Sequence, residues 1–178
     1  MRISTLLVIA AMLTVGATAK AKDEAPQFKT AEAKHFTQAE GVELTPAFSD
    51  YFYAELRSEI EKAKLAKDVI GEGETVDDSD APQSIVITGT ITEYKKGSVV
   101  KSALIGFGAG MRSLKMDADV VRRNDKQNLC VLHVHVKVDP RWNEKVMAKG
   151  AAHEIVKEMK KALAEGAKTN TPEGTKPS

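Results

Sequence analysis

Two runs in the second half of this chain leave it little freedom of fold. Between Met111 and Arg122, the even positions hold Leu114, Met116, Ala118 and Val120, while Ser113, Lys115, Asp117 and Asp119 fill odd ones. Between Leu129 and Val138, Cys130, Leu132, Val134, Val136 and Val138 lie on one face, and Val131, His133, His135 and Lys137 on the other. Successive side chains of a strand point to opposite faces, so each run predicts a half-buried strand. The polar break Arg123–Gln127 is short enough to join them as an antiparallel hairpin. A sheet with one apolar face needs a second layer to cover it.

That layer is present as two helical stripes. Thr45-Pro46 is a helix start, a hydroxyl cap followed by proline at the first helical position. Phe48, Phe52, Leu56, Ile60 and Ala63 then recur at helical spacing, and Gly71 and Gly73 are expected to end the segment. A second helix is predicted from Asn143 to Glu165, with Met147, Ala151, Ile155, Met159 and Leu163 four residues apart and Gly166 as its end. Gly150 inside it costs about 1 kcal/mol relative to alanine. Ser84–Lys95 is β-branched and reads as a third strand. The order helix, three strands, helix predicts an α/β chain of the α+β kind. Its expected form is a two-layer sandwich, a small mainly antiparallel or mixed sheet with both helices packed on one face. Residues 34–166 form this single domain. Residues 20–33 read as a linker, with a short strand in 34–38 as a weaker feature, residues 74–82 as an acidic loop, and 167–178 as a disordered tail.

The N-terminus predicts export. Arg2 precedes an apolar run from Ile3 to Val15, and Ala17-Thr18-Ala19 supplies the small-x-small pattern of a cleavage site, so residues 1–19 read as a signal peptide. A membrane-spanning helix needs roughly 20 apolar residues, and this run is shorter. Cys130 is the one cysteine of the 178 residues, so neither N-terminal lipid attachment nor an intramolecular disulfide is expected. Cys130 itself reads as a small buried apolar residue. The expected location is therefore the periplasm or the exterior, with no membrane anchor after cleavage. The chain has 26 Lys plus Arg against 25 Asp plus Glu, and loss of Arg2 balances the two. No basic excess points to nucleic acid.

Two groupings invite chemistry. The first is the segment Gly106-Phe107-Gly108-Ala109-Gly110. A dinucleotide loop places its glycines after a strand and at the mouth of a helix. Here they precede a strand, so Gly106, Gly108 and Gly110 read as a structural bend. The second is His133-x-His135, whose imidazoles share one strand face about 7 Å apart. The hairpin sets Asp117 and Asp119 on the same outward face, and two His with one or two Asp is a plausible transition-metal set. The competing reading is a solvated sheet face, favoured by Lys115 and Lys137, which compete for the carboxylates. His35 and His153 cannot be placed near the pair. Neither a Gly-x-Ser-x-Gly elbow nor a His-Glu-x-x-His motif occurs, and no cysteine has an evident base, so no enzyme is expected. No cofactor is expected beyond that metal, and Asp77-Asp78-Ser79-Asp80 lacks the glycine and terminal glutamate of a calcium loop.

The block Ile85–Leu163 resembles the DUF4410 family of uncharacterised bacterial envelope proteins. The resemblance rests on Gly89, Ser98, the segment 104–110 and the hairpin that follows. It implies a small exported domain similar in architecture to the periplasmic α/β domains of curli-secretion and TolB N-terminal type proteins. The turn at Arg123–Asn128 lacks the glycine often seen in the family, and the lipobox of many members is absent. Since the family has no established activity, the resemblance implies no catalytic residues. The expected role is a non-enzymatic interaction or assembly module that binds another envelope protein by a sheet edge or by the His/Asp/Lys face. The alternative is a small periplasmic metal or ligand carrier using His133, His135, Asp117 and Asp119.

Overall fold

The computed structural model describes residues 27–105 and 110–169. The expected signal peptide, Gly106 and Gly108 lie outside them. In chain order the elements are β1 (Phe28–Ala33), β2 (Thr37–Gln38), α1 (Pro46–Lys62), β3 (Ala66–Ile70), β4 (Ser84–Lys95), α2 (Val99–Ile105), β5 (Arg112–Arg122), β6 (Asn128–Val138) and α3 (Glu144–Thr169). The expected two-layer sandwich is present, with a mixed sheet in the order β3-β1-β4-β5-β6, β2 beside β4, and α1 and α3 on one face.

The sheet has two halves. On one side β1 runs parallel to both β3 and β4, with Thr30 opposite Asp68 and Ser84. On the other, β4, β5 and β6 form an antiparallel meander with Gly89 opposite Ala118 and Asp117 opposite His133. The alternation read from sequence sets the faces: Leu114, Met116, Ala118, Val120, Leu132, Val134 and Val138 are buried under the helices. Phe48, Phe52, Leu56 and Ile60 of α1 and Met147, Ala151, Ile155 and Met159 of α3 close the core from above. Ala148, Ala151 and Ala152, all fully buried, let α3 approach its neighbours closely.

Thr45 caps α1, its hydroxyl accepting from the Phe48 N–H at 3.1 Å. The helix stops at Lys62, well before Gly71. Lys64 takes φ +52°, its N–H donates to Glu61 O, and Leu65 N–H reaches back to Ile60 O. This is a Schellman ending with lysine where glycine is usual, and buried Ile60 and Leu65 make the accompanying apolar pair. The early stop leaves room for β3, which sequence periodicity did not show.

Two further expectations, the linker and the C-terminal limit of the domain, need correction. The segment read as a linker supplies β1, a strand in the middle of the sheet. It was overlooked because Phe-Lys-Thr-Ala-Glu-Ala has little apolar bulk; it is covered on both faces, with small residues on one and a compensated carboxylate on the other. The weak strand of 34–38 is the two-residue β2. The Gly-rich connection after Lys96 opens with the short helix α2. At the C-terminus α3 runs past Gly166 to Thr169, into the segment read as tail, through the helix-favouring Ala167 and Lys168.

Gly89 marks the tightest point of the sheet. A Cβ there would lie 2.3 Å from Asp117 O and 2.4 Å from the Phe36 ring. Phe36, between β1 and β2, turns into the core over this glycine and packs edge-on against Phe52 at 5.0 Å.

Candidate functional site

The helix-free face of the sheet carries the polar groups, and its two halves differ. On the antiparallel half, the register pairs Asp117 with His133, and Asp117 Oδ1 and His133 Nδ1 are hydrogen-bonded at 2.7 Å. His135 stands opposite Lys115, whose ammonium donates to Glu93 at 2.9 Å. Asp119 stands opposite Val131 and accepts from the Asn128 amide at 3.2 Å. Only His133 and Asp117 of the four candidate ligands are therefore brought together. Among the described residues no group of three or more His, Cys, Asp or Glu is placed to hold a metal ion. Lys115, expected to compete for the aspartates, pairs with Glu93 instead. Lys115 first, and Lys95 after it, hold the Glu93 carboxyl down at about 2. His35 stacks on Tyr53 at 3.9 Å and meets Glu72 at 3.0 Å, and His153 meets Glu59 at 3.0 Å, both away from the pair. Cys130 is half-buried and burial pushes its thiol up, as suits a packing residue rather than a nucleophile.

On the parallel half lies a site that sequence reasoning missed. The loop after β3 crosses this face, and Gly73–Val76, Val86, Val121, Arg123 and Lys126 enclose a cavity of about 460 Å³ with Glu32 and Lys34 in its wall. Glu32 is 4 % exposed, forms an ion pair with Arg123, and accepts from the Gly73 N–H at 3.4 Å. Arg123 Nε is buried and finds no hydrogen-bond partner. The two side chains are 91 residues apart in sequence, and they are joined because β1 pairs with β4, whose other neighbour is β5. Arg123 read as a turn residue and Glu32 as part of a linker. The one sequence hint was a glutamate flanked by Ala31 and Ala33, with no second acidic residue in that run.

The glycine segment is described only at its last member. Gly110 has φ +79°, and its carbonyl accepts from Ser98 N–H at 2.7 Å. Gly97 (φ +71°) lies against the same point, where a Cβ would meet Gly110 O and Arg112 N at 2.7 Å. These contacts bring the two ends of the β4–β5 connection together.

The hairpin turn is built without a glycine. Lys126 adopts φ +58°, Gln127 N–H donates to Asp125 Oδ1 at 3.0 Å, and Arg122 pairs with Asp125 at 3.1 Å. The register slips between Val120 and Val121, a bulge next to the left-handed residue.

No curated protein matches the sequence significantly. In fold, the chain is similar to PelC from Paraburkholderia phytofirmans, solved as a dodecamer, at TM-score 0.54 and 10 % identity over 75 % of this chain and 89 % of that one. It is also similar to XCC0632 from Xanthomonas campestris, of family DUF330, at TM-score 0.51 and 9 % identity over 84 % and 92 % of the two chains. At such identities the likeness is one of fold. The profile of the domain of unknown function DUF4410 matches residues 8–137, most of the chain, and the protein belongs to that family.

Proposed function

We propose that this protein is a non-enzymatic, exported assembly module of the bacterial cell envelope, and that it docks through the free edge of β6. The carrying observation is the contrast between the two sheet edges. Edge strands present unpaired N–H and C=O groups, and proteins blunt them with short length, charge or proline. The β3 edge has five residues with Lys67 and Asp68 exposed. The β6 edge has eleven residues without proline, and Lys137 near its end is its one charged side chain. Val131, in its middle, is 51 % exposed. A long, largely uncharged edge suits addition of a partner strand. The signal-like N-terminus supports export, and the dodecamer formed by PelC supports assembly as a use of this fold. No helix among the described residues is long and apolar enough to cross a membrane.

The test places a photo-crosslinking residue at Val131 and, separately, at Lys67, in the native host. An adduct of defined mass from position 131 and none from position 67 is the expected result, with multiples of the mass of the processed chain indicating self-assembly. Equal labelling from both positions, or none from 131, refutes docking at β6.

A second reading is supported by the cavity over β1. A buried ion pair with an unsatisfied guanidinium nitrogen beside Lys34 and Lys126 suits a small anionic ligand. Under it the protein is a ligand carrier, and a carboxylate library screened by thermal shift should raise the melting temperature of wild type and not of Lys126→Glu.

A further inference from the structure

The β4–β5 connection has properties that neither reading uses. From Lys95 to Met116 the chain carries Lys95, Lys96, Lys101, Arg112 and Lys115 and not one carboxylate, although the whole chain is nearly neutral at +1. Within that stretch α2 exposes apolar side chains instead of burying them: Val99 is 51 %, Val100 65 % and Leu104 80 % exposed. The helix makes no more than marginal contact with the other elements, so it stands off the domain. Lys96 and Lys101 at its base are exposed and have no ion-pair partner among the described residues.

A second connection joins it at the same end of the sheet. The Arg112 guanidinium donates to Lys96 O at 3.3 Å, to Trp142 O at 3.0 Å and to Pro140 O at 3.4 Å. One side chain thus ties the root of α2 to the β6–α3 connection. Trp142 there is 53 % exposed, which is unusual for a large indole in a core-forming domain. Its neighbour Arg141 is neutralised by Asp139 at 2.7 Å, so the uncompensated charge at this end comes from Lys96 and Lys101.

Exposed aliphatic residues, an exposed tryptophan and lysines without carboxylates form the composition that settles into the headgroup region of an anionic bilayer. The apolar side chains enter the acyl boundary, the indole sits at the interface and the ammonium groups meet phosphates. A second copy of the chain would need a matching acidic surface, and the carboxylates at this end are already taken, Asp139 by Arg141 and Glu144 by the Thr45 hydroxyl. We infer that the end of the sheet formed by α2 and Trp142 is a peripheral membrane-docking surface for anionic phospholipid, separate from the β6 edge. The inference leans on the export reading only for which membrane is met.

The experiment uses the protein recovered after export, in flotation with vesicles of phosphatidylglycerol and phosphatidylethanolamine, and with phosphatidylcholine vesicles as the neutral control. Binding to the anionic vesicles that weakens at high salt is expected. Lys96→Glu and Lys101→Glu should each lower the partition coefficient about fivefold or more, and Val100→Asp with Leu104→Asp at least tenfold. These positions are exposed, so the variants should keep the wild-type melting temperature. Absence of binding to anionic vesicles overturns the inference, as does binding that survives Val100→Asp/Leu104→Asp. If that double variant instead dissolves an oligomer seen by sedimentation and vesicles play no part, the surface belongs to a second copy and the inference fails. Vesicle binding by a protein that proves to be cytoplasmic would leave the surface standing and remove the export reading.

Discussion

The two halves of the sheet use the same kinds of groups under opposite conditions. In the parallel half, β1 is covered on both faces, and its Glu32 meets Arg123 away from bulk water. In the antiparallel half, β5 and β6 bury one face under the helices and leave the other wet, so Asp117 and His133 meet in solvent, with side chains 47 % and 76 % exposed. A carboxylate and its hydrogen-bonded partner are thus structural in one half and nearly free to change in the other. Burial, rather than the identity of the pair, decides which. The same contrast holds at the edges, where the parallel half ends in a short charged strand and the antiparallel half in a long unguarded one.

The largest effect should come from breaking the buried pair. Glu32→Ala strands Arg123 and removes the acceptor of Gly73, and should cost about 3 kcal/mol. The exposed counterpart, Asp117→Ala, should cost less than about 1 kcal/mol; chemical denaturation of the two variants compares them directly, and similar losses would break the contrast. At the seam between the halves, Gly89→Ala forces a methyl group into Asp117 O and the Phe36 ring, and should cost about 2 kcal/mol. In the hairpin, Lys126→Gly relieves a side chain held at positive φ and should stabilise by about 1 kcal/mol, read as a rise in melting temperature.

The smallest effect is one of pH. Glu93 is depressed to about 2 by Lys115 and then Lys95. A carboxylate lowered on folding contributes stability above its unfolded value of 4.5, and loses it as pH falls towards 2. Lys115→Met should move the Glu93 midpoint, followed by NMR, up towards 4.5. The stability difference between wild type and variant should be present at pH 7 and absent at pH 2. An unmoved midpoint would show that Lys95 alone holds the carboxylate.

The same division explains what could be read from sequence. Half-exposed elements announce themselves, because one wet face and one dry face write a period into the chain: β5 and β6 show Leu114 to Val120 and Leu132 to Val138 at period two, and α1 and α3 show their stripes. β1 carries no such period, since Thr30 and Glu32 are buried as thoroughly as Ala31 and Ala33. β3 was hidden by its length and by Lys67 and Asp68. The Asp117–His133 contact followed from counting along a hairpin. Glu32–Arg123 did not, because it depends on a non-local parallel pairing. The Asp117–His133 contact on the wet face was therefore legible, and the cavity on the covered half was not.

The position of β1 in the sheet also bears on how the chain can fold as it is delivered. β1 is the first described element in sequence, yet it lies between β3 and β4, and its partner for Thr30 on β4 is Ser84. A chain emerging N-terminus first therefore carries β1 without β3 until Ile70 and without β4 until Ser84 and beyond, whereas β4, β5 and β6 can pair in succession with short closures. The hairpins are the early, local step and insertion of β1 is the late, closing one. Closure of the sheet is thereby a late step, and on the proposed export route that delay would suit a chain that has to cross a membrane before it folds.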